Sequence, residues 1–351
     1  MLSSLIENND LIKKNSKVFF FKNKGDTYYK LVKLGISAEQ LPLNCVRSIF
    51  HSLFRIFYLL LNNRSSILHL WMYHPCVIIG IIAKLLSCKK IIWSLHHANF
   101  DTKYNKKFTL LFIHASSYLS HLVPNIIHSC SKYGIKEHLR IGYNNKFIYI
   151  PNGVDTRKFK PSVYKSFSSY FPQIQDPFVI GFFARWDSLK NHDGLLKQFT
   201  LALKNKPNLC LLLCGSNIDS NNNNLSELIA INKVPRTNIV LLGKQKNINA
   251  MYHEIDLFCL PSHGEAFPVV LCESLSCSVP CISTDVGDCS LILDSIGRCV
   301  AIQDFCKEFL YYSSISREYL YEIGQHCRKS ILDNYDIQKI SCHYVKLYKQ
   351  L

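Results

Sequence analysis

The second half of this 351-residue chain repeats one pattern, a short run of apolar residues that stops at small or polar ones. Phe178 to Ala184 breaks off into Arg185-Trp186-Asp187, and Cys210 to Cys214 ends in Gly215-Ser216-Asn217. Ile239 to Leu242 ends in Gly243-Lys244, and the run Ile255 to Leu260 ends in Pro261-Ser262. Such runs suit strands buried on both faces, the condition of a parallel sheet covered by helices. Helical stretches lie between them, so an α/β domain with a parallel sheet is expected from about residue 176 onward. In open sheets of this kind ligands bind at the carboxyl edge of the strands, so the residues that end these runs are the ones to read for chemistry.

The most informative of these ends is the segment from Pro261 to Glu273. Ser262 to Glu265 reads as a polar turn, and Val269 to Ser276 carries apolar residues at helical spacing. Glu265 then stands in the turn and Glu273 about two turns into the helix. The amides of Ala266, Phe267 and Val269, close to Gly264, lie near a helix N-terminus, where unpaired donors and the dipole favour a diphosphate. Pro268 costs nothing in a first turn. Two glutamates at this spacing are by default solvated charges; the neighbouring strand end shifts that reading. There Arg185 and Lys190, five positions apart, offer a planar fork and a point charge to phosphate oxygens.

These segments together resemble the donor-binding half of family 4 retaining glycosyltransferases with the GT-B fold. The matching blocks are Ile150-Pro151-Asn152-Gly153-Val154-Asp155 followed by Phe159, then Gly181 to Lys190, Asp256 to Pro280, and Thr284-Asp285-Val286-Gly287-Asp288. The resemblance implies two Rossmann-like domains facing across a cleft. It implies that Glu265 binds the donor sugar, Glu273 the ribose, and Arg185 with Lys190 the diphosphate, with Asn152 and Gly153 on the donor-binding side. Boundaries of 1–160, 161–335 and 336–351 are expected, the last a helix crossing back to the first domain.

The first half resembles the family through less specific motifs. Val18 to Phe21, Leu68 to His74, Lys90 to His97 and Ile126 to Ser131 read as strands, most of them with a polar residue at the carboxyl end. A His commonly stands in the family where His96 stands, near donor sugar and acceptor, so His96 is the first candidate, His97 the second and His74 a weaker third. One departure is expected: the family's first strand and glycine-rich loop have no counterpart, and residues 1–21 read as its first helix and second strand. The carboxyl-terminal stretch places Ile337, Ile340, Tyr344 and Leu347 on one helical face.

Charge is divided unevenly, with 20 Lys and Arg against 6 Asp and Glu in residues 1–150, but 21 against 19 in the remainder. The basic half asks for an anionic partner. Nothing resembles a base-reading element, so a membrane surface is favoured over nucleic acid. No stretch reads as a membrane span or a signal peptide. The 15 cysteines lie scattered in apolar strands and helices rather than in ligand or disulfide spacing, as small buried hydrophobes of a reducing compartment. The chain is expected to be cytoplasmic, at most peripheral on a membrane. No Asp-x-Asp motif offers a metal site, so neither metal nor cofactor is expected. The reaction expected is transfer of a sugar from a nucleotide diphosphate-sugar to a glycan or lipid-linked oligosaccharide, with retained configuration. A catalytically impaired GT-B chain acting as a binding partner, and a nucleotide-sugar epimerase, are the alternatives.

Overall fold

The computed structural model describes residues 1–21, 24–42, 45–162 and 170–351. The chain forms two compact units, the first built from Met1–Gly153 and Ile337–Leu351, the second from Val154–Asp336. The first change of unit therefore falls seven residues before the expected boundary at 160. Residues 154–160 pack within the second unit: the ring of Phe159 stands 5.9 Å from that of Tyr252, and Arg328 donates to the carbonyls of Thr156 and Phe159.

In the first unit, helices α1 (Leu2–Glu7) and α2 (Asp10–Lys14) precede strand β1 (Lys17–Phe20). A single helix was expected here; Asn9 divides it by capping α2 through the amide of Ile12. Then follow α3 (Asp26–Lys33), β2 (Ser37–Gln40), α4 (Val46–Asn62), β3 (Leu68–Trp71), α5 (Tyr73–Leu85), β4 (Ile91–Leu95), α6 (Lys107–Leu119), β5 (Ile126–Ser129), α7 (Lys132–Arg140) and β6 (Phe147–Tyr149). Helix α5 takes in Tyr73 and His74, expected to end the preceding strand, because Pro75 falls in its first turn, where a missing N–H is harmless.

Strands β3-β4-β5-β6 form one parallel sheet, and β1 pairs with β2 in a separate parallel pair. The faces of β1 nevertheless feed the same two cores as the larger sheet. Phe19 packs in the cluster of Leu70, Trp93 and Leu95, whereas Val18 and Phe20 pack in the cluster of Ile92 and Tyr344. Among the described residues, no strand bonds to the free edges of β1 and β3.

The second unit holds β7 (Phe178–Phe183), α8 (His192–Leu203), β8 (Leu209–Cys214), α9 (Asn223–Ile231), β9 (Ile239–Leu241), α10 (Ile248–Tyr252), β10 (Leu257–Leu260), α11 (Val269–Ser276), β11 (Cys281–Ser283), α12 (Cys289–Leu293), β12 (Arg298–Cys299), α13 (Phe305–Ser314) and α14 (Arg317–Asn334). Its parallel sheet runs β12-β11-β10-β7-β8-β9. Every residue of β7, β8 and β10 is buried, which is why these strands read as unbroken apolar runs. The order turns outward in both directions from β7 and β10, so the topological switch point lies between them.

The final helix α15 (Ile337–Lys349) belongs to the first unit. Its face of Ile337, Ile340, Tyr344 and Leu347 is buried, the last three in one cluster with Leu5 and Ile6. At Gly153 a side chain would stand 2.8 Å from the Cα of Ile337, so this glycine lets the backbone approach the start of α15.

Asp256 is a buried carboxylate at the foot of β10. It accepts from the amide of Val179 at 2.9 Å and is paired with Arg317. Asp256→Ala strands the buried Val179 amide and leaves Arg317 with Asp176 and the Pro177 carbonyl, and should lower the unfolding free energy in urea by about 1–3 kcal/mol.

Candidate functional site

The loops that follow β7 and β10 meet at the switch point. The chain leaves β7 through Ala184, whose amide bonds to the carbonyl of Cys214, and the amide of Trp186 bonds to that of Ser216. This approach depends on Gly215, which has φ +154° and where a Cβ would fall 2.0 Å from the Ala184 oxygen. The two loops are then tied to each other. His263 N–H donates to Leu189 O at 2.7 Å, and Asn191 Nδ2 donates to Pro261 O at 3.0 Å.

Lys190 and Glu265 complete that junction. Lys190 Nζ stands 2.5 Å from Glu265 Oε1, with side chains only 20% and 13% exposed. Ser262 Oγ donates to the same oxygen at 2.7 Å. Arg185 is the more exposed cation and is held by Asp187 at 2.8 Å. Partial burial pushes the Asp187 carboxyl up, but the Arg185 hydrogen bond, the Leu189 amide and the charge of Lys190 outweigh it, so the group stays below its ordinary value. Each cation is thus oriented by a carboxylate, in reach of further anionic oxygens.

Helix α11 begins at Val269 with Pro268 as its N-cap, so Pro268 stands one position earlier than expected and Glu273 about one turn into the helix rather than two. The side chain of Phe267 is buried, its ring 5.6 Å from Tyr335, which leaves its backbone as the part that can meet a ligand. Among the described residues the amides of Ala266, Phe267 and Val269 donate to no protein acceptor, the condition that makes a helix N-terminus attract anions. The turn around Gly264 is buttressed from behind. Asp288 N–H donates to Ala266 O at 2.9 Å, Thr284 Oγ1 donates to Ser262 O at 2.6 Å, and Gly287, at φ +59°, leaves no room for a Cβ against the Glu265 oxygen 2.5 Å away.

Glu273 accepts from the Tyr252 hydroxyl at 2.9 Å. Burial pushes its carboxyl up to about 7, against the opposing effects of that hydrogen bond and of the Lys158 charge. The sequence pattern singled out neither Tyr252 nor Ser262 as a partner of the two glutamates.

In the first unit, His96 stacks on Trp71 with ring centroids 4.8 Å apart and meets His128 edge-on. Burial first, and neighbouring positive charges second, hold it well below the ordinary histidine value. Burial also lowers His97. Both imidazoles are thus neutral at neutral pH, and His96 Nε2 and His97 Nδ1 are buried without a hydrogen-bond partner. Their neighbour His128 is fully used, between Ser94 Oγ at 2.7 Å and Ile150 O at 2.9 Å. His74 packs against Phe108 and Phe112. Asn152 is buried with its Oδ1 unpaired, and both it and Gly153 lie in the first unit. The structure thus gathers Arg185, Lys190, Gly264, Glu265, Ala266, Phe267, Pro268, Val269 and Glu273 in the second unit and His96, His97, Asn152 and Gly153 in the first. Among the described residues no group of three or more His, Cys, Asp or Glu side chains is placed to hold a metal ion.

Residues 168–295, which contain this junction, match the family profile of glycosyl transferases group 1. The capsular polysaccharide biosynthesis glycosyltransferase CapM of Staphylococcus aureus is 29% identical over 38% of this chain and 35% of its own length. An Escherichia coli UDP-Gal:alpha-D-GlcNAc-diphosphoundecaprenol alpha-1,3-galactosyltransferase is 22% identical over 82% of this chain and 76% of its own. The chain spans about a third of the length of the first curated relatives it matches. In fold, it superimposes on Anabaena HepE, crystallised with UDP and glucose, at a TM-score of 0.83 and 15% identity, covering 99% of this chain and 95% of that one. The sequence match thus covers residues 168–295, and the likeness over the whole chain is one of fold, GT-B.

An ordinary glutamate titrates near 4.5 and Glu273 at about 7, so between these values the folded state keeps a proton that the unfolded state has lost. Stability should fall as pH rises through this window and level off above it. Glu273→Gln should remove that slope and gain about 2–3 kcal/mol over the wild type at pH 8, read from urea midpoints between pH 5 and 8.

Proposed function

We propose that this chain transfers a sugar from a nucleotide diphosphate-sugar to a hydroxyl of a glycan or lipid-linked acceptor, with retained anomeric configuration. The observation that carries this reading is the Lys190–Glu265 pair beside the unpaired amides of α11. The amides and Lys190, joined by Arg185, take the diphosphate, and Glu265 accepts hydrogen bonds from hydroxyls of the donor sugar. As the bond from the anomeric carbon to the diphosphate breaks, charge grows on the leaving oxygen, where a fixed set of cations and amides stabilises it most. Glu273 with Tyr252 is assigned to the ribose. The neutral imidazoles His96 and His97, each with an unpaired nitrogen, are assigned to the sugar and the acceptor. The E. coli relative that acts on a diphosphoundecaprenol-linked sugar supports a lipid-linked acceptor.

Glu265→Ala and Arg185→Ala should each reduce transfer by about two orders of magnitude or more; thermal unfolding should be unchanged in Arg185→Ala and lowered in Glu265→Ala, which leaves Lys190 without its carboxylate. Full transfer by both variants overturns the assignment, as does a wild-type chain that alters the donor sugar without any acceptor. Since protein groups supply the positive charge, the transfer rate should be the same with and without EDTA; a rate restored only by a divalent cation rejects that part of the proposal.

A further inference from the structure

Helix α4 has two apolar faces and a core for only one of them. Ser52, Ile56 and Leu60 are buried, with Ile56 and Leu60 in the first unit's core cluster. On the opposite side Phe50, Phe54, Phe57, Tyr58 and Leu61 recur at helical spacing and are exposed, Phe50 and Phe54 by 71% and 72%. A helix of 17 residues that shows four aromatic rings and a leucine along one stripe carries far more apolar surface than solvation of a free helix requires.

The charges around this stripe select its partner. Arg47 and His51 are exposed on its flank, and Arg64 follows the helix. From Leu41 to Phe100 the sequence has no Asp or Glu at all, against six Lys and Arg. One carboxylate, Glu39, reaches this flank and is taken up by Arg55 of α4 at 3.2 Å, so the margin stays cationic, the combination with aromatic anchors that suits a helix lying in the headgroup plane of an anionic bilayer. None of the described helices is long and apolar enough to cross a membrane, so the orientation available is parallel to the surface.

We propose that α4 is a membrane-docking element, with its Phe50–Phe54–Phe57–Tyr58–Leu61 stripe seated among acyl chains and Arg47, His51 and Arg64 among anionic headgroups. This surface is separate from the residues assigned to sugar transfer, and its test does not depend on that reading. The full chain is sedimented with vesicles of phosphatidylcholine alone and of phosphatidylcholine mixed with phosphatidylglycerol. Binding should rise with the anionic fraction and weaken with salt. The double variant F50D/F54D should bind at least about tenfold more weakly, with thermal unfolding and donor binding unchanged; R47E tests the headgroup contact separately. Absence of vesicle binding by the wild type overturns the proposal, as does equal binding by F50D/F54D. A lipid-free dimer that F50D/F54D converts to monomer also overturns it, since a second copy would then cover the stripe.

Discussion

Lys190 and Glu265 hold one another at the point where the sheet order reverses, and the geometry of both loops depends on that contact. Two opposite charges with little exposure are costly to bring out of water, and their attraction offsets this cost only when geometry and further hydrogen bonds are good. Here Ser262 shares the carboxylate, and two contacts, the His263 amide to Leu189 O and the Asn191 side chain to Pro261 O, fix the strand-end loops at the right separation. The pair is therefore a preorganised one: both side chains are already ordered before any ligand arrives. For the diphosphate donor proposed above, a cation whose rotamer entropy has already been lost in folding lowers the entropic cost of binding.

The glycines that support this arrangement act through backbone proximity. Gly215 lets the β8 turn lie against Ala184, and Gly287 lets the 284–288 loop lie against Glu265 and Ala266. Each sits at positive φ as well, so a side chain would meet both strain and collision. The loops after β7 and β10 are in consequence each backed by main chain, a stiffer support than side-chain packing offers. Glu273 has a different environment. One turn into α11, its carboxyl faces Tyr252 in a poorly hydrated setting that favours the protonated form, so the two glutamates, eight residues apart, are chemically unlike.

Most of the second unit was legible in the sequence because its strands are buried on both faces and announce themselves as apolar runs. Arg185, Lys190 and Glu265 stood out as the polar residues that stop those runs. What local pattern did not disclose was whatever depends on distant contacts. Tyr252 meets Glu273 across 21 positions, and Gly215 meets Ala184 from the next strand end. Helix α11 has the expected limits with Pro268 as its cap, whereas α5 takes in Tyr73 and His74 because Pro75 is tolerated in a first turn. The break between α1 and α2 turns on one asparagine side chain, a cap that periodicity does not register.

The two units spend their sequence differently. In the second, six strands are hydrogen-bonded in one continuous sheet. In the first, β1 and β2 stand apart from β3–β6 although their side chains share the same cores. Open parallel edges leave backbone donors and acceptors to be met by water, and they contribute nothing to register. Hydrophobic contact has to do the joining instead, and α15 supplies much of it: Tyr344 packs with Val18, Phe20 and Ile92, and its hydroxyl lies 3.2 Å from His128. Beneath it Tyr348, His69, Ser94 and His128 form a chain of hydrogen bonds, in which burial lowers His69 to about 3 and His128 to about 4. A neutral, fully paired network can sit in an apolar core at modest cost where a charged one could not. The last helix thus does for the first unit what continuous strand pairing does for the second, which is why the face of Ile337, Ile340, Tyr344 and Leu347 is built of large apolar or aromatic residues.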